Sequence, residues 1–366
     1  MRIGFLHQPN DPYTVVRMKY FFSKGHEVYS ITFPKNNVKP KEINGIINNQ
    51  LPDIFLNRIF LLKRLVYIWH IKKITKKLKL DILHVVNAES IILATFSKSK
   101  KTVLENQGSD VLIVPQIFFW IKYIYRFFYR YMDAVIQDSK IAQEAGFKCG
   151  APKLHNEVFE IGIDFSIFNK QIKKGVARKR LGINNNEPIV FSSRGMQDLY
   201  NIDIIIKSIP KVKEYFPNVK FVFASNYGDL PDKMAQFINF NNLRKNIFHT
   251  GWLDHEKEMP FFYRDADVVV SVPSTDSSPF SVYEAMATKT PVIVSELPWF
   301  EDKFIPDINL ITVPVRDKEA LSSKIIKVLK KNNVINLESA YNIVYEKINM
   351  IKEADRLERF YKSLLG

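Results

Sequence analysis

Cysteine is almost absent from the sequence, with Cys149 the only one among 366 residues. A single cysteine excludes an internal disulfide framework and suits a reducing compartment. The seven histidines are scattered, and no Cys/His spacing indicates a metal site. No apolar run approaches the ~20 residues needed to cross a bilayer, and the first residues read as a strand rather than a signal peptide. We therefore expect a cytoplasmic protein that needs no metal or other cofactor.

Negative charge is also scarce, because 53 Lys and Arg residues outnumber 38 Asp and Glu residues and give a formal net charge of +15. Such a charge favours polyanions, among them nucleic acid, anionic lipid and phosphate-bearing substrates. The abundance of Lys, Ile and Asn also suits a low-GC genome, so the charge alone identifies no partner. The length is sufficient for two α/β domains.

One stretch, 268–301, carries the most information. An uninterrupted β-branched run at 268–272 predicts a buried strand, a polar loop follows it, and a helix is expected over about 280–289 before a second strand at 292–294. In such a βαβ unit the loop lies at the carboxyl end of the first strand, where open α/β sheets bind ligands. Hydroxyls and N–H groups at the start of a helix suit an anionic phosphate. Two carboxylates, Asp276 and Glu284, lie in this loop and helix.

The string EAMA beginning at Glu284 and the strand PVIV beginning at Pro291 carry a family resemblance. The stretch resembles the donor-binding signature of retaining family-4 glycosyltransferases of the GT-B fold, the glycosyl transferases of group 1. That signature has two glutamates separated by seven residues, and Asp276 stands here at the first of them. The string GHEV at 25–28 is also similar to the opening of the family.

The resemblance implies an α/β architecture in which two Rossmann-like, doubly wound domains face each other across a cleft, with a C-terminal helix crossing back to the first domain. We expect an acceptor-side domain over 1–170, completed by the C-terminal helix at about 349–366. The nucleotide-sugar donor domain is expected over 171–348, after a linker at roughly 169–186.

The resemblance also implies the residues of a donor site. Arg194 matches the family arginine, whose guanidinium can bind phosphate oxygens bidentately. Glu284 would accept hydrogen bonds from the ribose hydroxyls of the donor. Trp252 would lie beside the nucleotide base, or else in the core. Backbone or hydroxyl contacts to sugar and phosphate are expected from Ser278, Phe280 and Ser281.

Three positions depart from the family pattern. Asp276 would lie near the transferred sugar and stabilise the transition state, unless it only caps a turn in this serine-rich loop. Gln107 replaces the histidine of the family's His-Gly-x-Asp loop, and an amide can bind a sugar hydroxyl but carries no charge. Tyr200 replaces a lysine that would contact phosphate, so it could contribute only a hydroxyl. Asp276 and Gln107 are the predicted catalytic residues.

Acceptor-side residues are expected in two loops of the first domain. Asn10 and Asp11 belong to a proline-stiffened loop after the first strand, where the family often has Gly-Gly. Asp110 closes the loop that contains Gln107. The string Asp265-Ala266-Asp267 looks like a metal-binding Asp-x-Asp, but its place between a helix and a strand favours a structural role.

Two basic, aromatic segments are predicted helices, at 56–79 and 117–131. Their aromatic side chains alternate with Lys and Arg, which is typical of an interfacial membrane patch. Helices buried against a sheet, with the basic side chains reaching outward, would give the same pattern. The sequence leaves both possibilities open.

These features predict a metal-independent glycosyltransferase that moves a sugar from a nucleotide-sugar to a hydroxyl with retention. Its partners would be the nucleotide-sugar donor, a glycan or lipid-linked glycan acceptor and an anionic membrane surface, but not nucleic acid. Surface polysaccharide, lipopolysaccharide or glycan assembly at the inner face of the cytoplasmic membrane is the expected setting. Two alternatives are a GT-B-fold nucleotide-sugar epimerase, which should show an acid–base set near the sugar, and a non-catalytic GT-B partner subunit.

Overall fold

Two parallel sheets organise the chain into two compact units. The computed structural model describes residues 1–34, 40, 42–53, 60–225, 231–331 and 335–366. Unit 1 comprises residues 1–161 and 350–366, and unit 2 comprises residues 162–349. Each unit is an α/β layer structure with its own core, which confirms the predicted pair of Rossmann-like domains.

In the described part of unit 1, the strands are β1 (Arg2–His7), β2 (Glu27–Thr32), β3 (Ile47–Gln50), β4 (Ile82–Val86), β5 (Lys101–Asn106) and β6 (Ala134–Gln137). They form one parallel sheet in the order β3-β2-β1-β4-β5-β6. The α-helices described within residues 1–161 are α1 (Pro12–Ser23), α2 (Phe60–Leu78), α3 (Ile91–Ala94), α4 (Ser109–Leu112), α5 (Val114–Ile117), α6 (Ile121–Tyr129) and α7 (Lys140–Lys148). The strand order reverses between β1 and β4, which is the topological switch point of the sheet.

Among the described residues of unit 2, the strands are β7 (Ile189–Ser192), β8 (Lys220–Phe223), β9 (Ile247–His249), β10 (Val268–Ser271), β11 (Val292–Ser295) and β12 (Ile311–Val313). Their order is β12-β11-β10-β7-β8-β9, so the switch point lies between β7 and β10. The helices are α8 (Val176–Leu181), α9 (Ile202–Tyr215), α10 (Asp232–Phe240), α11 (Met259–Asp265), α12 (Phe280–Ala287), α13 (Lys318–Leu329) and α14 (Leu337–Lys347). The strands β7, β10 and β11 are fully buried, as their apolar sequences predict.

The last helix, α15 (Met350–Leu365), belongs to unit 1. It buries an apolar stripe that includes Ala354 and Leu357 in the same core cluster as residues of α1. Polar contacts add to this packing, because the Tyr20 hydroxyl donates to Asp355 and Glu358 pairs with His26 at 3.1 Å. The predicted return of the C-terminal helix to the first domain is therefore confirmed.

A buried charge network joins α15 to the sheet of unit 1. The network consists of four buried side chains, Arg17, His84, Glu105 and Tyr361. Arg17 of α1 donates to both carboxylate oxygens of Glu105 on β5, at 2.7 and 2.6 Å. His84 Nε2 lies 2.7 Å from Glu105 Oε2, and His84 Nδ1 bonds the Tyr361 hydroxyl of α15. Burial alone would raise the pKa of Glu105, but the Arg17 charge and the His84 hydrogen bond lower it to about 2.

Several boundaries differ from those predicted. Residues 162–170 lie in unit 2, because Phe168 packs its ring against His255 and Tyr263. The predicted linker contains α8. The helix predicted over 117–131 is interrupted, since Phe118 leaves the helical region with φ −120° and ψ 85° before α6 begins. The helix predicted over 56–79 is described from Phe60 to Leu78, and residues 56–59 lie outside the described residues.

Candidate active site

The predicted donor residues lie along the carboxyl edge of the sheet in unit 2. Arg194 follows the end of β7 by two residues, and the loop 272–279 leaves the end of the neighbouring strand β10. These are the two strands of the switch point, where the connections diverge to opposite faces and leave a crevice. The fold therefore brings together segments that are about eighty residues apart in sequence.

Arg194 and Asp276 form a half-buried ion pair at this edge. Arg194 Nη2 lies 2.5 Å from Asp276 Oδ2, and Arg194 Nε donates to Ser271 Oγ at 2.9 Å. Asp276 Oδ1 also accepts from the N–H of Ser277 at 3.0 Å. The arrangement places a guanidinium suited to phosphate and a carboxylate suited to sugar hydroxyls side by side. The sequence suggested each residue separately, but not their contact.

Tyr200 contacts this pair through its ring. The Cζ atom of Arg194 lies 5.0 Å from the ring centroid, which is a cation–π contact that helps fix the guanidinium. The next residue, Asn201, is left-handed at φ 51° and donates to the Val272 carbonyl at 2.9 Å. Asn tolerates this backbone better than most non-glycine residues.

Arg316 brings a second guanidinium to the same turn. It lies between β12 and α13 and donates to Asn201 Oδ1 at 2.5 Å and to Asp203 Oδ2 at 3.0 Å. Its own backbone is left-handed, at φ 62°. Tyr200 carries no positive charge, but the neighbouring residue Asn201 binds the guanidinium of Arg316. The sequence did not predict this second arginine.

Helix α12 begins within the same edge, and its first residues are buried together with the loop. Ser278, Phe280 and Ser281 are all buried. Within the described part of the chain, the hydroxyl of Ser281 has no hydrogen-bond partner, and neither have those of Ser192 and Ser295 at the ends of β7 and β11. Unsatisfied buried hydroxyls are uncommon in folded proteins, and these three can form hydrogen bonds with a polar ligand.

Glu284 lies on the buried side of α12 and binds His255. The carboxylate is 3% exposed, and its Oε1 lies 2.6 Å from His255 Nε2. Burial would lower the pKa of His255, but the charge and hydrogen bond of Glu284 raise it. No pattern in the sequence singles out this histidine, because its partner is 29 residues away.

Trp252 is almost fully exposed, at 91%. The alternative that it is a core tryptophan is therefore wrong. It follows β9 at the carboxyl edge of unit 2, which is compatible with its predicted place beside a nucleotide base.

The loops of unit 1 use their predicted polar residues largely to hold their own shape. Asp11 caps α1, accepting from the N–H of Thr14 at 3.3 Å, and Asn10 before it is left-handed. Asp110 accepts from the N–H groups of Ala88 at 2.7 Å and Gln107 at 3.1 Å. These bonds lower the pKa of Asp110, but burial dominates and raises it to about 6.

Asp110 thus joins the loops after β4 and β5 and positions Gln107, whose side chain is half-buried. The string 265–267 is also structural, since Asp265 accepts from the N–H of Ala177 at 2.7 Å and Asp267 pairs with Arg178 at 2.9 Å. Within the described ranges, no group of three or more His, Cys, Asp and Glu side chains converges on a metal-sized site.

An aromatic–basic surface covers the outer face of α6 and the residues before it in unit 1. Tyr125 and Tyr129 point into the core, as the buried alternative predicted. The opposite face is exposed and consists of Phe118, Phe119, Trp120, Lys122, Tyr123, Arg126, Phe127 and Arg130. Helix α2, which like α6 packs on α3, adds exposed Leu62, Leu65 and Trp69. No helix in the described part of the chain is both long and apolar enough to span a bilayer.

Comparison with known families gives two matches. Residues 173–347 match the family model described as glycosyl transferases group 1, and residues 2–139 match the one described as glycosyl transferase 4-like. Together the two matches cover most of both units.

Individual relatives are distant. The α-monoglucosyldiacylglycerol synthase of Streptococcus pneumoniae is 23% identical over 71% of this chain, which spans 66% of that protein's length. A sucrose-phosphate synthase from Thermosynechococcus elongatus superposes with a TM-score of 0.83 at 17% identity, covering 100% of this chain and 99% of the other. Anabaena HepE in complex with UDP-glucose superposes with a TM-score of 0.79 at 14% identity, covering 99% and 100%.

Proposed function

Because the chain belongs to the glycosyl transferases of group 1 and has their GT-B fold, we propose that it transfers a sugar from a nucleotide-sugar donor to a hydroxyl acceptor. The observation that carries this proposal is the ion pair of Arg194 and Asp276 at the switch point of unit 2, with Glu284 on the helix that follows. In this proposal Arg194 serves the diphosphate of the donor, Asp276 its sugar and Glu284 its ribose.

In this proposal the donor diphosphate lies against Arg194 and the start of α12, where Ser281 offers its buried hydroxyl. Arg316 supplies a second positive charge near the position of the missing lysine. Glu284, held by His255, accepts hydrogen bonds from the ribose hydroxyls through Oε2. These groups bind the donor without a metal ion.

We propose retention at the anomeric carbon. The bond from the sugar to the phosphate breaks, the leaving phosphate oxygen takes the proton of the acceptor hydroxyl, and the new bond forms on the same face. Asp276 stabilises positive charge that develops on the sugar. Gln107 of unit 1 binds a sugar hydroxyl. The pneumococcal relative is named for an alpha product, and an alpha product from an alpha-linked nucleotide-sugar retains configuration.

The acceptor is proposed to be a lipid or lipid-linked glycan at the inner face of the cytoplasmic membrane. The aromatic–basic surface supports this location, because exposed aromatic rings insert into the interface while Lys and Arg attract anionic lipids. The name of the pneumococcal relative also specifies a lipid product. Assembly of a surface polysaccharide, lipopolysaccharide or another glycan would follow from such an acceptor.

Calorimetry with a panel of nucleoside diphosphates tests the donor site. We expect at least one to bind, and Arg194→Ala to weaken that binding about 100-fold through loss of charge-assisted bonds to phosphate. Arg244→Ala, which removes an exposed arginine elsewhere in unit 2, should leave the affinity unchanged. Absence of binding by the unaltered protein would exclude both the transferase and the epimerase and leave the partner subunit.

Sedimentation with vesicles tests the membrane surface. We expect binding to phosphatidylglycerol-containing vesicles at about 0.05 M salt and its weakening at about 0.5 M, because salt screens the basic side chains. Phe119→Ser should lower the bound fraction several-fold through lost insertion of an exposed ring. Phe240→Ser changes a still more exposed phenylalanine of unit 2 and should have no effect. Failure to bind at low salt would refute the membrane location.

A further inference from the structure

Unit 1 contains an open cavity of about 270 Å³ at the carboxyl edge of its sheet. Gln8 follows β1, Phe33 follows β2, and Glu89 and Ser90 follow β4, so the cavity spans the switch point between β1 and β4. This is the position at which doubly wound sheets bind ligands. A larger cavity of about 460 Å³ in unit 2 lies at the amino ends of its strands instead.

The lining of the unit 1 cavity is divided by chemistry. Helix α2 contributes Lys63 and Arg64, and among the described lining residues the only acid is Glu89. On the apolar side, the rings of Phe33 and Tyr67 meet edge to face with centroids 6.1 Å apart. Such a site suits a ligand that carries both an anionic group and apolar parts.

The size of the cavity limits what can enter it. A volume of about 270 Å³ corresponds to about nine water molecules at ~30 Å³ each. That is enough for a phosphate with a small polyol, but not for acyl chains as well. We therefore place the acyl chains of a bound lipid outside the cavity.

Helix α2 offers a place for those chains. The helix that contributes Lys63 and Arg64 to the cavity also exposes Leu62, Leu65 and Trp69 within the aromatic–basic surface. A molecule held with its polar end in the cavity can thus keep its apolar end in the bilayer contacted by the same helix.

We propose that this cavity binds the phosphate-bearing headgroup of an anionic lipid acceptor, with Lys63 and Arg64 as the phosphate ligands. Gln8, Ser90 and Glu89 bind the hydroxyls of the headgroup. The inference rests on the proposed function, because it assigns the acceptor of that transfer. It also separates the acceptor from uncharged diacylglycerol, which offers no anionic group to Lys63 and Arg64.

Calorimetry with soluble, monomeric lipids tests this site without any transfer reaction. We expect dihexanoyl phosphatidylglycerol to bind below its micellar concentration, and dihexanoylglycerol and inorganic phosphate each to bind at least about tenfold more weakly, because each lacks one half of the ligand. Lys63→Gln with Arg64→Gln should weaken binding of the phospholipid tenfold to about 100-fold.

The matched control removes two charges from the same helix. Lys76→Gln with Lys77→Gln lies about 20 Å away along α2 and should change the affinity less than twofold. Equal weakening by both double variants would overturn the proposal, since it would indicate general attraction to the basic helix. Binding of inorganic phosphate as tight as that of the phospholipid would identify a free-phosphate site, and tighter binding of dihexanoylglycerol would identify an uncharged acceptor. None of these outcomes depends on nucleotide binding in unit 2.

Discussion

Replacing Glu284 with glutamine is expected to lower kcat/KM for the nucleotide-sugar about 100-fold, because hydrogen bonds to a charged group contribute about 1.5–3 kcal/mol each. The amide retains one acceptor oxygen, which can face His255, but presents an NH2 group where the ribose hydroxyls should donate. The isosteric side chain can still accept from His255, so the packing of α12 is preserved. Steady-state kinetics should show the loss together with weaker binding of the free nucleoside diphosphate.

The same exchange at Glu301, an exposed glutamate beyond β11, is the control and should change neither activity nor binding. The melting temperature of both variants should stay near that of the unaltered protein. If Glu284→Gln keeps more than half of the activity, the ribose contact is wrong and Glu284 serves only to bind His255. A large fall in the melting temperature would instead indicate that the pair is structural.

Removing the Glu105 side chain, as in Glu105→Ala, should lower the free energy of unfolding of unit 1 by about 3–5 kcal/mol. The change leaves the buried Arg17 charge without its carboxylate and deprives His84 of a partner. Hydrogen exchange can localise the effect, because amides of β4 and β5 should exchange faster while those of β10 and β11 do not change. Glu214→Ala breaks an exposed pair with Lys211 and should leave the free energy of unfolding nearly unchanged.

The pH dependence of this effect has a definite sign. The pKa of Glu105 is about 2 in the folded protein, against an ordinary value of 4.5. Ionised Glu105 therefore contributes its full stabilisation above about pH 4.5, and the contribution is lost as the pH falls toward 2. The difference in stability between the unaltered protein and Glu105→Ala should shrink over that interval. A difference that stays constant down to pH 2 would mean that the carboxylate charge is not what stabilises the network.

The sequence was sufficient for those parts of the structure that depend on local pattern. The β-branched run at 268–272 and the EAMA string predicted β10 and α12 because burial on both sides leaves an uninterrupted apolar signal. The strand β3 was missed for the opposite reason. Its residues, INNQ, are mostly exposed at the sheet edge, and no alternation distinguishes them from a loop.

Pairings between distant residues could not be predicted in this way. Arg194 and Asp276 were each recognised, but only the adjacency of β7 and β10 brings them into contact. His255 and Arg316 were missed because neither belongs to a motif, and each acquires its partner through the fold. The cavity beside Lys63 likewise depends on where α2 packs over three strand ends.

The position of α15 has a consequence for the order in which the protein is made. Unit 2 is continuous in sequence, whereas unit 1 needs residues 350–366 to complete its core and its buried charge network. A ribosome synthesises the whole of unit 2 before it reaches Tyr361, the residue that His84 binds. Unit 1, which is begun first, is therefore completed last. Until α15 has been synthesised, His84 on β4 and Glu105 on β5 lack the helix that completes their network.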